Sequence, residues 1–162
     1  MLKHKAYKFR IYPTQEQVVL INKTIGCSRF VFNFSLSQQK NEEDLWYLAE
    51  EMYQSGQLLF NKYKSKFFNK YDSIKDLPEL KKHYEFLKEV DSIALQASIE
   101  TLADGYSRYY KKQNKHPKFK SKKNPLQSYT TKMVNGNIDV KDNYIKLPKL
   151  NMVKFAKSKN ID

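Results

Sequence analysis

Arg108–Lys132, RYYKKQNKHPKFKSKKNPLQSYTTK, is the stretch at which this 162-residue chain changes character. Helical spacing leads into it and strand alternation leads out of it. It holds nine Lys/Arg and no carboxylate, and the acid-free interval runs from Gly105 to Ile138. Crowding that many cations costs self-repulsion, which a polyanion relieves by giving up its own counterions to these side chains. Tyr109, Tyr110, Phe119 and Tyr129 are interleaved with the charges. Rings among cations offer stacking surfaces for unpaired bases beside contacts to phosphate. Lys111, Lys112, Lys118, Lys120, Lys122 and Lys123 are therefore candidate phosphate contacts. The plainer alternative is a solvated basic linker joining a helix to a sheet.

Upstream of this stretch, Asp91 caps the most regular helix, whose stripe Leu95, Ile99, Leu102, Tyr106 and Tyr109 has core spacing. Ser92 and Gln96 lie together away from that stripe. Glu79 to Glu89 reads as a shorter helix after Asp76-Leu-Pro78. Residues 42–71 read as a long one, either whole or broken in two at Gln54-Ser-Gly56. Ser28 to Lys40 is amphipathic, with Phe30, Phe34 and Val31 as inward candidates. Arg29 and Asn33, four apart, share a face on which they either form a solvated couple or grip a backbone phosphate. Gly26 interrupts the pattern, as a turn or as a close-packing point. Before it, Thr14 and Gln17 form a capping box opening a helix with Val18, Ile21 and Ile25 at core spacing. These helices are expected to form an antiparallel bundle. Pro13 closes a leading strand, Lys3–Tyr12, with Tyr7, Phe9 and Ile11 on one face and Lys8, Arg10 and Tyr12 on the other.

Downstream, Gln127–Val134 is a strand candidate, and Asn135-Gly136 is a hairpin signal into Asn137–Val140. Asp142-Asn143 turns into Tyr144–Leu147, and Pro148 precedes Leu150–Phe155. Strands at both ends and helices between predict an α+β fold. The leading strand joins the C-terminal hairpins in a small β-barrel, residues 1–13 and 114–156. The helical bundle, 14–113, is inserted in it, and 157–162 form a frayed tail.

The net charge of +13 is unevenly placed. Residues 1–41 carry seven bases against one acid, residues 42–107 eight against thirteen, and residues 108–162 fifteen against three. An acidic block between basic flanks implies that the two ends meet to build one basic face. Nucleic acid is the first partner this suggests, ahead of an anionic membrane surface. Cys27 is the single cysteine, which excludes an internal disulfide or a cysteine-based zinc site, and His4, His83 and His116 lack metal-ligand spacing. No signal peptide and no bilayer-length apolar run appears, so a cytoplasmic protein is expected. No P-loop, glycine-rich cradle or nucleophile–base pattern calls for a cofactor.

Five segments together resemble the N-terminal part of TnpB, the transposon-encoded RNA-guided nuclease family related to type V CRISPR effectors. They are KAYKFRIYPTQEQ (5–17), INKTIGCSRFVFNFSL (21–36), EFLKEVDSIALQASIETL (85–102), HPKFKSKKNPLQSYTT (116–131) and NGNIDVKDNYIKLPKL (135–150). The resemblance implies a wedge-like β domain interrupted by a helical recognition lobe, which together bind guide RNA and read a short motif on duplex DNA. It places motif reading on Ser92, Ile93 and Gln96 and on the strand with Ser128, Tyr129, Thr130 and Asn135. Gln96 is the foremost base reader, because its amide can pair bidentately with adenine. The Val134 side chain cannot donate a hydrogen bond. Lys5, Lys8, Arg10 and Tyr12 would face RNA. The family's metal-binding carboxylates lie beyond the matching segments. Phosphodiester hydrolysis on two metals needs several converging carboxylates, and residues 108–162 hold only Asp139, Asp142 and Asp162, so no nuclease centre is expected.

The leading expectation is a module that binds structured guide RNA and a DNA motif without cutting, as a competitor or inhibitor of an RNA-guided nuclease. A helix-turn-helix regulator hinged at Gly26 is one alternative. A protein-interaction module, whose acidic block binds a basic nuclease or effector protein, is another.

Overall fold

The computed structural model describes residues 6–61 and 67–158. Its dominant element is α1, Gln15–Gln54, a single helix of 40 residues and about 60 Å at the usual rise per residue. Thr14 opens it with a complete capping box: its Oγ1 accepts from the Gln17 N–H (3.3 Å), and the Gln17 side chain accepts from the Thr14 N–H (2.9 Å). No proline occurs between Pro13 and Pro78, and the helix stops where Gly56 takes φ +76°. Gly26 does not interrupt it. That position is inside α1, and a Cβ there would meet nothing within 4 Å. The expected division at Gly26 is thus corrected, since one glycine costs a helix only about 1 kcal/mol and neighbouring packing outweighs that.

Beyond Gly56 come two short helices, α2 (Lys70–Lys75) and α3 (Leu77–His83), a 3-10 turn at Glu85–Glu89, and α4 (Ser92–Tyr110). The expected helix over 42–71 ends at the Gln54-Ser-Gly56 division read from sequence, its first part being the end of α1, and the one over 79–89 is split between α3 and the 3-10 turn. Asp91 caps α4 through Oδ1, which accepts from the Ile93 N–H (3.0 Å). Leu95, Ile99, Leu102 and Tyr106 of its stripe are buried, while Tyr109 stays 38% exposed. On α1, the inward residues are Cys27, Val31, Phe32 and Leu36, with Thr24, Ser28 and Ser35 filling the gaps. Phe30 and Phe34 are partly covered and pack edge-on against Tyr84.

Contacts climb α1 and α4 in the same sense. Lys23 pairs with Glu89 (2.5 Å) at one level. Cys27 and Val31 join Leu95 and Ile99 at the next, and Phe32 and Leu36 join Leu102 and Tyr106 above that. Glu43 then reaches His116, past the end of α4. The two long helices run parallel, correcting the expected antiparallel bundle. The described residues between them, 55–61 and 67–91, make the return.

The sheet is antiparallel, in the order β1-β4-β3-β2, with β1 Ile11–Tyr12, β2 Asp139–Lys141, β3 Tyr144–Leu147 and β4 Asn151–Phe155. Among the described residues it is open, so the expected closed barrel is not formed by them. The leading strand is short. Phe9 and Tyr7 keep the expected half-buried face, Phe9 meeting Phe155 edge-on at 5.3 Å, but pairing is confined to Ile11↔Phe155 and Tyr12↔Lys154. Gln17 also ties sheet to helix, its Nε2 donating to the carbonyls of Leu150 (3.0 Å) and Met152 (2.9 Å). The two basic ends of the chain therefore do meet, at β1 and β4.

Candidate nucleic-acid interface

Residues 113–138 form no helix or strand, including the span 127–134 expected as a strand. Residues 116–127 are nevertheless pinned along one face of α1. His116 Nε2 donates to Glu43 Oε2 (3.1 Å), and its ring packs edge-on against Tyr106 and Tyr109. Pro117 lies on Gly105, so close that a Cβ there would sit 3.4 Å from its ring. The Lys40 ammonium lies 4.9 Å from the centre of the Phe119 ring. Asn33 then holds the Lys120 backbone with both ends of its amide: Nδ2 donates to the carbonyl (2.9 Å) and Oδ1 accepts from the N–H (2.8 Å). Positions 43, 40, 33 and 29 of α1 thus meet 116, 119, 120 and 127 in antiparallel order.

The last of these contacts closes a loop. Gln127 Nε2 donates to the carbonyls of Asn124 (2.6 Å) and Ser121 (3.1 Å), while its Oε1 accepts from Arg29 Nη1 (2.8 Å). Asn124 Oδ1 accepts from the Leu126 N–H (3.0 Å), and Ser121 Oγ from the Lys123 N–H (3.1 Å). Lys122 and Lys123 stand exposed on this loop. Lys111, Lys112, Lys115 and Lys118 are exposed as well, with no ion pair among the described residues. Lys120 is different. Its ammonium sits 4.4 Å from the centre of the Phe32 ring, and burial pulls its pKa below the ordinary lysine value. Arg29 and Asn33, read from sequence as a solvated couple or a phosphate grip, are engaged here with the chain's own backbone and Gln127.

A second cluster surrounds the start of α4. Asp91 Oδ2 accepts from the Thr131 hydroxyl, and Lys132 pairs with Glu100, so residues 131–132 lie against the helix. Tyr129 is half-buried beside Asp91, and burial first, then that carboxylate, raise its pKa. Ser92 Oγ accepts from Lys81 Nζ (2.6 Å), whose pKa is lowered by burial and by nearby Lys149. Gln96 is partly exposed, and its side-chain amide has no hydrogen-bond partner among the described residues. Ser128 and Thr130 are exposed. Asn135 (φ 51°) and Gly136 (φ 71°) form the expected turn, closed by Asn137 N–H to the Val134 carbonyl (3.2 Å), though paired strands do not flank it.

Lys8, Arg10 and Tyr12 are exposed at the sheet, and Lys5 lies outside the described residues. Sequence reasoning missed Gln127, Lys81 and Lys149. A lone Gln after Pro-Leu gives no local signal, because its role depends on backbone carbonyls brought round by the loop. Among the described residues no group of three or more His, Cys, Asp or Glu could hold a metal ion. No helix among them is long and apolar enough to cross a membrane.

Residues 1–43 match a protein family described as a helix-turn-helix domain, of the OrfB IS605 type. In this chain the matching residues 15–43 are one uninterrupted helix. A protein of Streptomyces pristinaespiralis named as an RNA-guided DNA endonuclease is 31% identical over 121 residues, covering 74% of this chain and 26% of that protein. InsQ of Escherichia coli, also named as an RNA-guided DNA endonuclease, is 28% identical over 164 residues, covering 99% of this chain and 36% of that protein. The chain thus spans between a quarter and about a third of the length of these relatives. Over that span the chain is TnpB-like, similar to a quarter to about a third of the length of proteins named as RNA-guided DNA endonucleases.

Proposed function

We propose that this chain binds the scaffold of a guide RNA, with its pinned basic segment as the principal phosphate contact. The supporting observation is the placement of Lys118, Lys122 and Lys123. They are exposed, without acidic partners among the described residues, on a backbone that α1 holds in shape. Ordering such a segment beforehand lowers the entropy lost on binding. Residues 1–13 and 114–156 then act as a wedge-like part and 14–113 as a recognition lobe. Duplex DNA would be read at the start of α4, where Gln96 offers a free amide and Ser92 lies beside Lys81. Acting at this length, the chain would occupy guide RNA without cutting and so compete with an RNA-guided nuclease.

The test is charge reversal, Lys118→Glu with Lys122→Glu and Lys123→Glu. Binding to unrelated RNAs should weaken alike, and the slope of log K against log salt should become shallower by about 2, at roughly 0.7 per single-strand phosphate contact. An unchanged affinity overturns the reading.

A protein partner is the second reading, and one feature favours it. A cleft of about 950 Å³ between α1 and the α2–α3 segment has Phe34, Phe68 and Tyr84 in its wall, and Glu42, Asp72, Asp76 and Glu79 around it, with no lysine or arginine among its described lining residues. A basic effector protein would suit it. Association surviving high salt and nuclease treatment would support that reading.

A further inference from the structure

The register of the sheet lines up four side chains across all four strands. Tyr12 on β1 pairs with Lys154 on β4, Lys154 pairs with Tyr144 on β3, and Tyr144 pairs with Lys141 on β2. Directly paired residues of antiparallel strands share a face. The row therefore reads Tyr, Lys, Tyr, Lys along a single surface. The opposite face carries Val153 and Phe155, which are 0% and 4% exposed and form its packed side. On the row itself Tyr12 is 51% exposed and Tyr144 43%, and both lysines are exposed. Lys146 and Met152, one paired step away, extend the same face.

Three features decide what such a face can take. The lysines form no ion pair among the described residues. Asp139, opposite Lys146, stands at the far edge and accepts from the Val140 N–H (2.8 Å). Adjacent strands are about 4.8 Å apart, so rings on β1 and β3 are separated by about 10 Å with a cation between them. That spacing suits two unpaired bases with their connecting phosphate over Lys154. A regular duplex keeps its bases stacked on each other and would leave the rings unused. An apolar protein partner would bury three lysines without counter-charges.

We infer that this sheet face is a stacking platform for an unpaired stretch of RNA, with Tyr12 and Tyr144 as base supports and Lys154, Lys141 and Lys146 as phosphate contacts. It rests on the RNA-binding reading above and adds a site that the basic segment 108–132 does not contain. Single strands bind such surfaces through ring stacking, which tolerates any base, together with a cationic track.

The experiment uses the full chain, a fluorescently labelled oligouridylate, and an RNA duplex of the same length. Tyr144→Leu and Tyr12→Leu should each weaken oligouridylate binding about tenfold, with an unchanged salt slope. Tyr144→Phe should restore it. Lys154→Gln should make the slope shallower by about 0.7. Duplex affinity should stay put in the two leucine variants, and Tyr71→Leu, on α2, should change neither. Should a leucine variant fail to fold, ultraviolet crosslinking of the unaltered chain to a thiouridine-substituted strand provides the second readout, expected at Tyr12 or Tyr144. Normal oligouridylate binding by Tyr144→Leu, equal losses on the duplex, or crosslinks confined to residues 108–132 overturn the platform while leaving RNA binding intact. If the unaltered chain binds neither RNA, both the platform and the broader reading fall.

Discussion

The α1–α4 pair and the segment 113–138 lie against each other, yet they are ordered by different forces. The helices are held by burial: Val31, Leu36, Leu95, Ile99 and Leu102 are all fully excluded from water. Each such side chain contributes roughly 1.5–3 kcal/mol relative to leaving it exposed. The segment buries little. Its shape comes from polar side chains answering backbone groups, Asn33 at Lys120 and Gln127 at Ser121 and Asn124. A hydrogen bond of that kind contributes a net 0.5–1.5 kcal/mol or so. A stable scaffold thus carries a surface whose order can be lost without unfolding, and the charges are on that surface.

The difference is exposed most strongly by Leu102→Ala. Leu102 joins the cluster of Phe32, Leu36 and Tyr106, so its loss should lower global stability by about 2–5 kcal/mol. Urea unfolding followed by circular dichroism checks this. A cost under about 1 kcal/mol would mean that the helix pair is not the cooperative core. Gln17→Ala comes next. It removes half of the capping box, one bond to β4 and one to Leu150 just before it, for an expected loss of about 1–2 kcal/mol and faster amide exchange in β4.

Asn33→Ala addresses the other region. It should leave the unfolding midpoint nearly unchanged but raise trypsin cleavage at Lys122 and Lys123 several-fold, since the loop loses about 1–2 kcal/mol of local restraint. Mass spectrometry of the fragments reads the sites. If Asn33→Ala unfolds the whole chain, the segment belongs to the core and the contrast between the regions disappears.

The same division explains what could be read in advance. The stripe of α4, its Asp91 cap, the Thr14–Gln17 box and β3 at Tyr144–Leu147 were all legible, because each is fixed by residues near one another in sequence. The meeting of the two basic flanks followed from charge placement and is realised where β1 pairs with β4. Three features were not legible. The parallel sense of α1 and α4 depends on the path of residues 55–61 and 67–91, where the longer helices read from sequence gave way to short ones. Strand alternation over 127–134 gave way because Tyr129, Thr131 and Lys132 are drawn to α4 by Asp91 and Glu100 rather than by a neighbouring strand. Arg29 and Asn33 were picked out by their shared face, but their targets lie about ninety residues away in the chain.

Gly26 provides the smallest effect and a sharp one. A turn between two helices commonly uses a glycine at positive φ, where alanine is strained. Inside a continuous helix, with open space around the Cα, alanine instead gains from better helix propensity and a less flexible unfolded chain. Gly26 does not have positive φ, and a Cβ there would meet nothing within 4 Å. Gly26→Ala should therefore stabilise the chain by about 0.5–1 kcal/mol, measured as a higher urea midpoint with an unchanged slope. A lower midpoint would restore a break at this position, and with it the geometry that the helix-turn-helix description of residues 1–43 implies. The sign of that shift is informative because no side chain is in contact there. Backbone conformation alone sets it, and the scaffold beneath the basic segment is either one rod or two.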